Sequence, residues 1–225
     1  MALIIDIETT SWFKDEDHKR VTIEERRNKT ITKDKDKMLA NEKDIIRKAA
    51  LSPYTGQVTV VGFRNTDEKQ SLFLTNRYVD PLDNYILALQ DEKLLLHSVW
   101  DYITKAIEDG VRIVGFGSKD FDIPFLFIRS LVNNIEVDVN YMNLIHPYTH
   151  NLHLDIKSLF DKGSLREIAF ALDSMTDNTT DGSELPELWH TDPARVVEKC
   201  SSDLIQTEKI YERVKRWIPQ KLQMY

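Results

Sequence analysis

Cysteine is nearly absent: the chain of 225 residues has one, Cys200. A lone thiol closes no intramolecular disulfide and builds no Cys-rich zinc site, so disulfide scaffolds and zinc ribbons are excluded. A reducing, cytoplasmic setting is the expectation that fits. Glycine and proline are scarce, at seven each, and no G-x-x-x-x-G-K phosphate loop occurs. No apolar run reaches the ~18 residues that a membrane span needs, so no membrane partner is expected. No basic region precedes a longer apolar stretch and a small-residue cleavage site, so no secretory signal is expected either. Excess positive charge is also missing: the net charge is −7 and the pI near 5.4. Passive nucleic-acid binders usually carry a basic footprint. This chain could bind nucleic acid if its charge is unevenly spread or if its carboxylates hold cations.

The pattern of residues is compatible with both conditions. About 41% of residues are apolar, enough for a core. Ala2 to Ile7 is a short apolar run that suits a buried central strand. From Ser11 to Ala49 the chain turns highly charged, with twelve Lys and Arg against nine Asp and Glu, a balance of +3. The remaining residues therefore carry −10. Helix formers dominate this stretch, which predicts one or two exposed helices inserted after the first strand. Gln57–Arg64 and Gln70–Thr75, separated by the polar Asn65–Lys69, predict a hairpin. Leu95, Val99, Ile103 and Ile107 predict a helix stopped by Gly110. Further strands are expected at Arg112–Phe116 and Leu152–Ile156, with a helix through Phe121, Phe125, Ile128 and Val132 between them. Ser164 and Glu167 form a capping box. Asp192-Pro193 opens the last helix, with Asp192 as cap, and Pro219 ends it. Its apolar stripe includes Val197, Cys200, Leu204, Tyr211 and Val214. The order describes a mixed sheet with helices on its faces, α/β or α+β.

Three acidic elements carry the chemistry. Asp6 and Glu8 sit two apart at the end of a strand, so both side chains point the same way. Adjacent carboxylates repel unless a cation lies between them, and such oxygen ligands suit Mg²⁺ or Mn²⁺. The second element, Val114 to Leu126, passes from a strand through a small-residue loop into a helix with Asp122 in its first turn. The third is Asp203, one helical turn beyond Lys199. Singly, each fits a surface acid or a helix cap. His146, His150 and His153 are clustered, but Pro147 breaks a helix between them and no Cys or Glu completes a zinc set.

Taken in order, Asp6-x-Glu8, Phe121-Asp122-x-Pro124-Phe125-Leu126 and Cys200-x-x-Asp203-Leu204-x-x-Thr207-x-x-x-Tyr211 resemble the three motifs of the DEDD superfamily of 3′→5′ exonucleases. The branch they resemble is the one related to the proofreading domain of family B DNA polymerases. Leu51 to Val58, the helix from Ser164, Asp181-Gly182-Ser183 and Trp189 are similar to that branch too. The resemblance implies an α/β, RNase H-like fold: a mixed five-stranded sheet flanked by helices. It implies a single exonuclease domain over residues 1–225, with residues 11–49 as the charged helical insertion.

It also implies that Asp6, Glu8, Asp122 and Asp203 hold two Mg²⁺ or Mn²⁺ ions. Two such ions clamp the attacking and leaving oxygens at phosphorus, and the product is a nucleoside 5′-monophosphate. Thr9 and Thr10 fall where this family contacts the terminal nucleotide. Trp12 and Phe13 offer rings on which bases stack, or else they pack the arm onto the body. Lys119, in the second motif, is a further candidate for binding substrate. The chain departs from the family at the residue that orients the water: Lys199 and Glu198 stand where a Tyr or a His is usual. Gly117 stands where an Asn is frequent. The expected partner is nucleic acid, single-stranded DNA ahead of RNA. A 3′→5′ exoribonuclease and an inactive nucleic-acid-binding module are the alternatives. The oligomeric state is open, a homo-oligomer included.

Overall fold

The computed structural model describes residues 1–27, 35–80, 85–147, 151–160, 162–178 and 180–218. Strand β1 (Ala2–Ser11) lies inside the sheet, buried along almost its whole length, as its unbroken apolar run demands. Helices α1 (Glu16–Arg27) and α2 (Lys35–Ala49) follow as the charged insertion. Next come β2 (Gly56–Asn65), β3 (Ser71–Thr75), β4 (Tyr85–Ala88), α3 (Glu92–Glu108) and β5 (Arg112–Gly115). The chain continues through α4 (Asp122–Val132), α5 (Tyr141–Ile145) and β6 (His153–Asp155). It closes with α6 (Leu165–Ala171), α7 (Leu185–Thr191) and α8 (Pro193–Val214).

The sheet order is β4-β3-β2-β1-β5-β6. β1–β2 and β2–β3 are antiparallel, whereas β1–β5, β5–β6 and β3–β4 are parallel. The sheet thus has six strands where the sequence predicts five. The extra strand is β4, which pairs from Leu72↔Tyr85 to Thr75↔Ala88. Four residues are too few to show a period, and their pairing comes from the open edge of β3.

Alternation along β1 sorts its side chains between two layers. Leu3, Ile5 and Ile7 pack with Leu95, Val99, Ile103, Ile123 and Leu126 of α3 and α4. Ala2 and Ile4 join Val197, Cys200 and Leu204 of α8 on the other face. Asp6 and Glu8 continue this second row, so they project toward α8. Gly62 of β2 permits the close approach of α8. A Cβ at Gly62 would lie 2.6 Å from the Cys200 sulfur and 2.7 Å from Leu204 Cδ1.

Of the expected helix signals, Gly110 and the Ser164–Glu167 pair act as expected and the Asp192 side chain does not. Asp91 caps α3 through Leu94 N–H at 2.8 Å, and Gly110, with φ 70°, follows that helix. Ser164 and Glu167 complete their capping box. Asp192 occupies the cap position of α8 but makes no capping bond with its side chain, because its backbone (φ −149°, ψ 74°) does not aim it at the first turn. Pro219 and His150 lie outside the described residues. No helix among the described residues is long and apolar enough to cross a membrane.

The inserted arm is docked onto the body. Thr22 and Ile23 of α1 and Ile45 and Ala49 of α2 are buried, and an Arg27–Glu42 ion pair joins the two helices. Trp12 N–H donates to the Thr55 carbonyl at 2.8 Å. The buried Arg129 guanidinium lies 4.8 Å from the centre of the Trp12 ring. Arg129 is held in turn by Glu92, with Nη2–Oε2 2.6 Å and Nε–Oε1 2.9 Å.

Candidate active site

The end of β1 is shaped by a bulge immediately after Glu8. Glu8 pairs with Val60 and Thr9 with Val58, which leaves Thr59 as the extra residue on β2. The Thr59 hydroxyl donates to the Glu8 carbonyl at 2.9 Å and so satisfies a group that the ladder loses. Asp122 arrives from the opposite side of the sheet end. Its Oδ1 accepts the Ile7 N–H at 3.0 Å, which fixes the first turn of α4 against the strand between the two acids. Asp203 comes from α8. Carboxylate oxygens of Asp6, Glu8 and Asp203 lie within 4.8 Å of one another.

Burial makes this cluster electrostatically costly. It is the largest cause raising Asp6 well above the usual carboxylate range, with the charges of Glu8, Asp203 and Asp122 adding to it. Burial first, then Asp203 and Asp122 against the opposing pull of Lys199, pushes Glu8 up to about 8. Asp122 is raised to about 7, again mainly by burial, although the hydrogen bond from Ile7 pulls the other way. Asp203 is also raised by burial and is eased by Lys199. Lys199 pairs with Asp203 inside the cleft. Burial would lower its pKa, but Asp203, Glu8 and Asp6 outweigh it and hold the ammonium charged. Cys200, buried beneath, is pushed far up by burial and by the same acids, so its thiol is inert.

A divalent cation answers each of these features. The donors are hard carboxylate oxygens of the kind that Mg²⁺ and Mn²⁺ take. Asp6 Oδ2 is buried and has no hydrogen-bond partner among the described residues. Such an oxygen is costly unless a cation meets it. The residues present therefore fit the ions that the sequence implies.

The carboxylates floor a cleft of about 530 Å³. Its walls come from the end of α2 and the turn after it (Arg47, Lys48, Ala50), the turn before α4 (Phe116, Gly117, Phe121), Lys157 and the Gly182–Pro186 segment. Of the candidates, Asp6, Glu8, Thr9, Asp122, Lys199 and Asp203 line this cleft. Thr9 donates its hydroxyl to the Ala50 carbonyl at 2.7 Å, tying the floor to the arm. Thr10 is buried, with its hydroxyl 3.2 Å from the Pro186 carbonyl. Trp12 sits against Arg129 rather than in the cleft. Lys119 is turned into the body, where its Nζ donates to the His146 carbonyl at 2.7 Å. His153 is a core residue, bonded to the Ser118 hydroxyl at 2.8 Å.

Asp155, unremarked in the sequence, organises the second motif. Its Oδ1 accepts Gly117 N–H at 2.8 Å and its Oδ2 accepts Lys119 N–H at 3.1 Å. Those bonds fold the turn that presents Asp122. Gly117 takes a left-handed backbone there, φ 72°, a conformation that Gly and, less readily, Asn adopt. The signal in the sequence was an acid near the end of the predicted strand at Leu152–Ile156, which pairs beside the strand that leads into the motif.

Fold and site together fit the class of 3′-5′ exonucleases related to the exonuclease domain of PolB. Residues 87–222 match the family described as predicted 3′-5′ exonucleases related to the exonuclease domain of PolB, and the chain belongs to that family. The match begins after Asp6 and Glu8, which the sheet itself brings to the site. The fold is similar to that of the family B DNA polymerase from the hyperthermophilic archaeon Pyrobaculum calidifontis, with a TM-score of 0.61 at 15% identity. That similarity covers 95% of this chain but 24% of the polymerase, so the chain spans about a quarter of its length. No curated protein sequence matches the chain.

Proposed function

We propose that the chain is a metal-dependent 3′→5′ exonuclease that shortens single-stranded DNA and releases nucleoside 5′-monophosphates. The observation that carries this reading is the convergence of Asp6, Glu8 and Asp203 within 4.8 Å, beside Asp122. Asp6, Glu8, Asp122 and Asp203 would hold two Mg²⁺ or Mn²⁺ ions, their four negative charges balanced by the two divalent cations. What the ions supply when bound is acidification of the attacking water and neutralisation of charge at phosphorus.

The chain's own residues do the positioning. Lys199, paired with Asp203 on the wall of the floor, is placed to donate hydrogen bonds to the water or the scissile phosphate. Thr9, locked to Ala50, shapes the seat of the terminal nucleotide. Thr10, Trp12 and Lys119 support that seat from behind, through Pro186, Arg129 and His146. The deciding experiment follows 5′-labelled DNA and RNA oligomers side by side, with Mg²⁺, with Mn²⁺ and with EDTA. Stepwise shortening from the 3′ end of DNA, abolished by EDTA and slowed at least ~10³-fold by Asp6→Asn, is expected. Shortening of RNA alone would reassign the substrate. Cleavage by Asp6→Asn at the wild-type rate would refute the metal assignment.

A further inference from the structure

We propose that Arg47 and Lys48 form a phosphate seat at the mouth of the cleft, filled in the free protein by the Asp44 carboxylate and taken over by a phosphodiester of the incoming strand. The proposal rests on the exonuclease reading and names a part of the site that the three acidic motifs do not contain.

The geometry begins with the packing of α2. Ile45 and Ala49 are buried against the body, which turns Asp44, Arg47 and Lys48 outward on the exposed side of the last turn. Both cations line the cleft that Asp6, Glu8, Asp122 and Asp203 floor. They also converge on one anion. Arg47 Nη2 lies 2.7 Å from Asp44 Oδ1, and Lys48 Nζ lies 2.7 Å from Asp44 Oδ2. Two donors on the two oxygens of a single negative group is also the arrangement that a phosphodiester requires, with its two non-bridging oxygens and its single charge.

Asp44 is a weak occupant. Its side chain is 34% exposed, and those of Arg47 and Lys48 are 49% and 61% exposed. Water screens pairs of this kind, and each is worth about 0–1 kcal/mol. A phosphodiester of the incoming strand carries the same single charge on two oxygens and replaces Asp44 without leaving either cation bare. The seat is also held at a fixed distance from the floor, because Ala50, two residues beyond Lys48, accepts the hydroxyl of Thr9 next to Glu8. Lys157 stands on the facing wall, over Gly117, and gives the mouth a second positive rim above a negative floor. Asp181 is a further carboxylate near Arg47. It is already engaged by Ser183 N–H at 2.7 Å, so it competes less than Asp44 does. The arm's +3 balance thus comes to bear at two side chains placed where the strand enters.

The test is equilibrium binding of a fluorescent oligodeoxythymidylate in EDTA across a salt series, with cleavage measured separately in Mg²⁺. Asp44→Asn should bind about 2- to 10-fold tighter, because the seat no longer has an internal competitor. Arg47→Gln with Lys48→Gln should bind more weakly. Its slope of log K against log salt should be flatter by about 0.7, the value for one lost phosphate contact on a single strand. Loss of folding cannot imitate this pattern, since the two changes act in opposite directions. Asp44→Asn binding no tighter, or a double variant with an unchanged slope, overturns the seat. A wild-type protein that binds DNA but cleaves neither DNA nor RNA overturns the exonuclease reading, while the two variants still decide the seat.

Discussion

Replacing Asp122 with Asn should stabilise the metal-free protein and inactivate it at once. The carboxyl is buried and is raised from its ordinary 3.8 to about 7, chiefly by burial. In the fold it therefore keeps a proton up to about pH 7, whereas in the unfolded chain it loses that proton near pH 4. Between these values the folded state binds more protons, so this group's contribution to stability falls as pH rises. Above about pH 8 the penalty is complete, at about three pH units of roughly 1.4 kcal/mol each, or ~4 kcal/mol. Asn has the same shape, and its Oδ1 still accepts the Ile7 N–H, so the substitution removes the charge and little else.

Urea unfolding in EDTA from about pH 5 to about pH 9 measures this directly. Asp122→Asn should exceed the wild type by several kcal/mol at the alkaline end, and the two curves should approach each other toward pH 5. Adding Mg²⁺ or Mn²⁺ should raise the wild type far more than the variant, because only the wild type retains the full ligand set. Identical stability of the two proteins in EDTA at about pH 8 would refute the claim that this carboxylate is held against its preference.

Two other substitutions probe the same floor. Lys199→Ala should slow cleavage by ~10²–10⁴-fold while a metal titration followed by thermal shift stays close to wild type; a wild-type rate from about pH 6 to about pH 9 would place Lys199 outside the reaction. Gly62→Ala should cost about 1–3 kcal/mol in urea unfolding, because its methyl would meet Cys200 and Leu204, and should also lower activity by pushing Asp203 away from β1. Unchanged activity in a destabilised Gly62→Ala protein would show that Asp203 holds its place independently of this contact.

The acidic floor was legible in the sequence because its parts are local. Two acids two apart on a strand share a face whatever surrounds them, and an acid in a helix's first turn stays at that helix's end. Lys199 and Asp203, four apart, share a helix face by the same rule. The charged arm was legible through its composition. What tertiary structure alone decided lies in contacts between residues far apart in the chain. Lys119 belongs to the second motif, yet its ammonium is claimed by the carbonyl of His146. Trp12 is adjacent to the first motif, yet Arg129, held by Glu92, lies against its ring. Asp155 became the organiser of the second motif only because β6 pairs beside β5. The four residues of β4 became a strand because β3 left an edge open. Periodicity fixes which way a side chain leaves its own element, but the partner it meets depends on how the sheet orders strands that the sequence keeps apart.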